Sequence, residues 1–182
     1  MKSKKNYKII KYFNTSRYES VKVNNNFSSK KIISCFGYIG DIKNQKDFLK
    51  IAKKFCNEDV IFRIIYQSFD NNYLKKCEKF CKYNKLNKVQ FINGNDVNIK
   101  DKLEESHIIV NTSITEVFPI TLVEGISMGV PFVSYDKGNI SWMKGGLIAK
   151  DYFELERFVK LLINNNFFYD KISNQAKTFY NN

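Results

Sequence analysis

Arginine is scarce in this chain of 182 residues: against a formal net charge of +12 it occurs only at Arg17, Arg63 and Arg157. Lysine carries the rest of the positive charge, and lysine, asparagine and isoleucine abound together throughout, the pattern of a coding bias. The rigid guanidinium fork is what reads phosphates and base edges bidentately, so its shortage argues against sequence-specific recognition of nucleic acid. A weak pull towards anionic surfaces remains. Cysteine is limited to Cys35, Cys56, Cys77 and Cys81 with no C-x-x-C spacing, and His107 is the single histidine, so no zinc set can be assembled and no metal is expected. Cys77 and Cys81 fall on one helical stripe with Tyr73 and Phe80, which favours buried thiols over redox work. His107 opens an apolar strand, where a structural imidazole is the stronger reading than a catalytic base. No apolar run approaches the roughly 20 residues that cross a bilayer. The N-terminus M-K-S-K-K-N-Y-K-I-I has a basic start without the apolar core of a signal peptide, so the expected location is cytoplasmic, with peripheral association at the cytoplasmic face of a membrane as the most that the charge suggests. No G-x-G-x-x-G follows the first strand and no G-x-x-x-x-G-K-[ST] occurs, leaving dinucleotide redox chemistry and P-loop hydrolysis without support.

What is present is enough for one domain with a real core: hydrophobic residues make up 43% and aromatics 15%. Residues 1–30 read as a connecting segment or tail, and 31–182 as the domain. Apolar strands at Ile32–Phe36, Val60–Tyr66, Val89–Ile92, Ile108–Val110, Phe132–Tyr135 and Leu147–Ala149 alternate with helical patterns. The helices are expected over Lys43–Cys56, from the cap Asp70 to about Leu86, over Ile99–Glu105, from Pro119 to Gly129, and in two final segments, the first capped by Asp151 with Glu154. Strands apolar on both faces with helices of crossover length predict an α/β fold: a Rossmann-like doubly wound parallel sheet with helices on both faces. Such sheets bind their ligand at the carboxyl ends of the strands.

The stretch from Ile109 to Tyr135 holds most of the chemistry. Asn111-Thr112-Ser113 end a strand, a loop carries Glu116, and Pro119 stands where the first turn of a helix begins, a place that tolerates a missing N–H. The N–H groups around Ile120, Thr121 and Leu122 are expected to point out of that helix as an anion site, with the Thr121 hydroxyl as a further donor. Glu124 lies one turn on, with seven residues separating it from Glu116, and can accept from vicinal hydroxyls. A phosphate between two hydroxyl-bearing ends describes a nucleotide sugar. On charge and spacing alone, a solvated helix residue and an ordinary loop acid explain Glu124 and Glu116 equally well.

The run E-V-F-P-I-T-L-V-E-G-I-S-M-G-V-P-F-V resembles the E-x7-E signature of retaining glycosyltransferases of family 4. F-G-Y-I-G-D-I-K-N-Q resembles that family's G-R-L-x-x-x-K-N-Q turn, V-Q-F-I-N-G its V-x-F-x-G strand, and N-T-S at 111–113 the P-S before the first glutamate, so Ser113 falls within the donor site. The likeness extends from about residue 30 to residue 180, the nucleotide-binding C-terminal half of a GT-B enzyme. It implies that Glu116 contacts the donor sugar and Lys43 neutralises the diphosphate. It also implies that Gly37 lets the backbone approach the phosphates, that Phe118, Pro119, Ile120, Thr121 and Leu122 cradle them, and that Glu124 binds the ribose. The loop from Gly94 through Asn95 to Val97 would lie beside the base. The implied reaction is metal-independent, retaining transfer from a UDP- or GDP-sugar to a glycan or lipid-linked acceptor. It needs no cofactor but needs an N-terminal acceptor domain on the same or another chain. Three departures stand out: Tyr38 replaces the usual phosphate-binding arginine, Val117 a common glycine, and Gln67-Ser68-Phe69 a glycine-rich turn. With them, a non-catalytic nucleotide-sugar-binding module is the alternative.

Overall fold

The computed structural model describes residues 30–138 and 140–181. Of the segment expected to connect, residues 1–30, all but the last residue lie outside them. Six strands form one sheet: β1 (Lys31–Phe36), β2 (Val60–Tyr66), β3 (Val89–Asn93), β4 (Ile108–Asn111), β5 (Phe132–Tyr135) and β6 (Gly146–Ala149). All pairings are parallel and the order is β3-β2-β1-β4-β5-β6. This is the expected doubly wound α/β fold, and its order reverses between β1 and β4, where a crevice opens at the carboxyl ends. The helices are α1 (Gln45–Lys54), α2 (Asn71–Tyr83), α3 (Ile99–Glu104), α4 (Ile120–Ser127), α5 (Tyr152–Asn164) and α6 (Asn166–Asn181).

Two-residue periodicity divides the core. Ile108, Val110 and Val133 face α1, α2, α5 and α6, whereas Ile109 and Phe132 face α3, α4 and Ala176 of α6. Both faces are covered, which is why the strands carry no polar alternation. Cys77 is fully buried, and burial pushes its thiol up to about 12 and that of Cys81 to about 11, so both are packing groups. His107 Nδ1 accepts from the Ile32 N–H at 3.0 Å while its own N–H donates to the Ile32 carbonyl at 2.8 Å. Burial, then Lys31, hold its imidazole below the ordinary value and hence neutral, the structural role expected.

Several boundaries differ from the sequence pattern for local reasons. Asn44 adopts a left-handed conformation (φ 49°), which separates Lys43 from α1 and leaves it in a turn. Lys85 (φ 54°) likewise stops α2 before Leu86. Pro119 is the residue before α4 and not part of its first turn. The caps hold as expected: Asp70 accepts from the Tyr73 N–H and Asp151 from the Glu154 N–H. Gly129, at φ 73°, ends α4.

Candidate functional site

The β1–α1 turn begins with Gly37, whose φ of 124° excludes side chains in practice and whose Cα lies under the Lys43 stem; a Cβ here would sit 3.4 Å from Lys43 Cε. Fully buried Gln45 holds the rest of the turn. Its Nε2 donates to the Tyr38 carbonyl at 2.7 Å and its Oε1 accepts from the Gly40 N–H at 3.2 Å. Tyr38 is 42% exposed, and its ring occupies the space a Cβ on Gly40 would need. Beyond it, Ile39 is bonded to both Ser68 and Asp70, which ties this turn to the one after β2.

The β4–α4 loop is stitched to the same turn. Thr112 Oγ1 donates to the Lys43 carbonyl at 2.8 Å, and the Ile114 N–H donates to the Ile42 carbonyl at 2.9 Å. Between these bonds Lys43 Nζ meets Glu116 Oε2 at 2.7 Å, with the two side chains 26% and 11% exposed. A third segment, the turn after β5, presses on the loop from the far side: Gly138 (φ 62°) approaches so closely that a Cβ on it would lie 1.9 Å from the Glu116 carbonyl oxygen. The residues that the resemblance gives to the donor sugar and the diphosphate are thus brought together, and the lysine is held across the crevice between β1 and β4. At low exposure such a pair is less screened than one in open water, and an anionic ligand entering here shares Lys43 with the Glu116 carboxylate.

The start of α4 corrects one expectation. Of the three N–H groups expected to be open, that of Ile120 donates to the Phe118 carbonyl and that of Leu122 to the Pro119 carbonyl, each at 3.0 Å. Pro119, with φ −82° and ψ 79°, is the centre of an inverse γ-turn, which closes the Ile120 bond onto the chain two residues back. Among the described residues, Thr121 alone of the three keeps an N–H with no partner. The positive end of the helix survives, but it offers one donor and not three. The Glu124 carboxylate, half-buried one turn on, has no ion pair or hydrogen bond among the described residues. Ser113 is fully buried and its hydroxyl donates to Asn111 Oδ1 at 2.6 Å, so its visible work is to fix the strand end; Asn111 in turn donates to Ser134 Oγ at 3.0 Å. Phe118 is 40% exposed at the rim.

Asn95 and Val97 lie apart from this group, at the end of β3. Asn95 Nδ2 donates to the Gln67 carbonyl at 3.1 Å, which joins the β2 and β3 rims. Gln45, Thr112 and Gly138, the residues that station Lys43 and Glu116, have no role assigned by the sequence pattern. Gln45 was visible only as the last letter of K-N-Q. The other two act on residues remote in sequence. A further set backs the turn at Asn44: Asp47 Oδ2 accepts from Asn44 Nδ2 at 2.8 Å and from the Tyr135 hydroxyl at 2.7 Å, while Asp47 Oδ1 accepts from Lys50 at 2.8 Å. Partial burial works to raise the Asp47 carboxyl, but the hydrogen bonds from Lys50, Tyr135 and Asn44 outweigh it and hold the group below its ordinary value of 3.8.

The sequence model of the family described as glycosyl transferases group 1 matches residues 16–178. No curated protein sequence matches significantly. Among solved structures, the C-terminal domain of the glycosyl transferase group 1 family protein LpcC from Francisella tularensis superposes with a TM-score of 0.76 at 18% identity, over 84% of this chain and 85% of that one. The Anabaena protein HepE, solved with UDP and glucose, gives 0.74 at 17% identity, over 84% of this chain and 44% of HepE. Sucrose-phosphate synthase from Thermosynechococcus elongatus gives 0.73 at 12% identity, over 84% of this chain and 41% of that one. At these identities the likeness establishes the fold, and the chain spans less than half the length of the latter two proteins.

Proposed function

The chain belongs to the glycosyl transferases group 1 family, and from that membership we propose that it is the donor-binding half of a retaining, family 4-type glycosyltransferase that takes a UDP- or GDP-sugar. The observation that carries this reading is the Lys43–Glu116 pair held beside the start of α4, with Glu124, unpartnered among the described residues, one turn on. The diphosphate lies between Lys43 and the Thr121 N–H. Glu124 accepts the ribose hydroxyls and Glu116 those of the transferred sugar. As the glycosidic bond breaks, negative charge grows on the leaving phosphate, and a lysine fixed beforehand stabilises it without reorganising. Lys43 and the dipole of α4 then supply the charge that a metal supplies elsewhere, so the reaction calls for none. That HepE was solved with UDP and glucose supports a nucleotide-sugar donor.

The acceptor, a glycan or a lipid-linked glycan, is met by an N-terminal domain on the same or another chain. The rim supports that partner: of ten exposed large hydrophobic residues described, seven (Tyr38, Ile42, Phe69, Ile114, Val117, Phe118 and Ile120) crowd the loops at the carboxyl ends. An exposed apolar cluster at one end of a monomer is the mark of an interaction site. Calorimetric titration with UDP- and GDP-sugars tests the proposal. It expects saturable binding by the wild type and weaker binding by Glu124→Ala; equally poor binding of every nucleotide sugar by both proteins overturns it.

A second reading is favoured by Tyr38, which brings a phenol where a cation would help the phosphates. Under it the domain binds nucleotide sugar without transferring it. Transfer or donor hydrolysis by the chain paired with an N-terminal half would exclude that reading.

A further inference from the structure

We infer that Gln67 reads the base of the donor nucleotide, an inference that rests on the reading above. Gln67 follows β2 at the carboxyl rim. A Cβ on buried Gly94 would lie 3.0 Å from Gln67 Cγ and 3.0 Å from Ile99 Cδ1, so the Gln67 stem crosses over Gly94 beside the start of α3. That is the face of the sheet that α3 shares with α4, where Ile99 and Leu103 pack in one cluster with Leu122 and Val123. A nucleotide with its diphosphate at the start of α4 and its ribose at Glu124 extends its base towards this corner.

The backbone here is fixed from β3. The Gln67 carbonyl accepts from Asn95 Nδ2 at 3.1 Å, and the Gly94 N–H donates to the Tyr66 carbonyl at 2.6 Å. The exposed Gln67 carboxamide has no hydrogen-bond partner among the described residues. It presents one donor group beside one acceptor. That pairing complements a base edge on which an imide N–H adjoins a carbonyl, as in uracil and guanine, and half-buried Val97 borders the same loop. Gly94 is required because any larger residue would displace the reading side chain.

The test is calorimetry on the full chain with UDP, GDP, ADP and inorganic pyrophosphate. Uracil and guanine present the same imide edge and a carboxamide turned over also meets the amino edge of adenine, so the readout is the loss in the variants and not a preference among the bases. Gln67→Met keeps the stem and removes both polar groups; it should lower affinity for the bound nucleotide by about 10-fold and leave pyrophosphate within about 2-fold. Gln67→Ala should match it, since the loss lies in hydrogen bonding. An undiminished nucleotide affinity in Gln67→Met, or an equal loss for pyrophosphate, overturns this inference alone. Failure of the wild type to bind any nucleotide overturns the proposed function with it.

Discussion

Two carboxylates with seven residues between them meet opposite treatment in this molecule. Glu116 stands on a loop held from three directions: by Thr112 and Ile114 bonded to the β1–α1 turn, by Lys43 on its carboxylate, and by Gly138 against its carbonyl. Glu124 stands on a regular helix and touches no cation or donor among the described residues. The first arrangement costs chain entropy in three loops, which a fold retains where a group must be in place before the ligand arrives. The second leaves a carboxylate open to solvent and, on the proposed reading, to a ligand. Under the proposed function, the difference would separate a group placed for chemistry from one placed for binding.

The sharpest way to break the contrast is Lys43→Ala, which leaves Glu116 partly buried without its cation and removes the proposed phosphate partner. A nucleotide sugar should bind about 100-fold more weakly, as expected for losing charge-assisted hydrogen bonds, and the fold should lose about 1–2 kcal/mol in urea denaturation. Glu124→Ala should cost about 10-fold to 100-fold in nucleotide-sugar affinity with stability unchanged, because its carboxylate makes no ion pair or hydrogen bond among the described residues. If calorimetry and denaturation return the same profile for both variants, the two acids are not distinguished as described.

Gly138→Ala attacks the support and not the acid. A Cβ 1.9 Å from a carbonyl oxygen, at a φ of 62°, forces the turn or the Glu116 loop to move; the expected loss is about 1–3 kcal/mol in thermal denaturation, with weaker donor binding as the secondary effect. The mildest change is Tyr135→Phe, which removes the hydroxyl from Asp47 and should cost about 1 kcal/mol. Its pH dependence has a definite sign. Asp47 titrates below 3.8 in the folded protein, so its contribution is present above that value and lost as pH falls through the folded-state value. Without the Tyr135 hydroxyl the folded-state value rises towards 3.8, and acid unfolding followed by circular dichroism should begin at higher pH than in the wild type.

Much of this was legible in the sequence. The apolar strands, the caps at Asp70 and Asp151, and the left-handed stop at Gly129 are decided by neighbours in the chain, and each appears where the pattern puts it. That Lys43 and Glu116 belong to one site was legible only through the resemblance, because 73 positions separate them, and their direct pairing was not legible at all. The supports were not legible. Thr112 bonds to a carbonyl 69 positions away, and the need for Gly138 arises from a backbone it meets only once β5 is packed. The helix start misled for a different reason: the count of open N–H groups assumed an ordinary first turn, and Pro119 instead closes a γ-turn that consumes one of them.

The central claim is that Lys43 and the start of α4 receive a diphosphate, and phosphorus NMR of UDP or GDP titrated with the chain addresses it most directly. Both phosphorus resonances should shift and broaden with the wild type, and the terminal one should respond far less with Lys43→Ala. Spectra unchanged by the wild type, or changed equally by both proteins, would contradict the account.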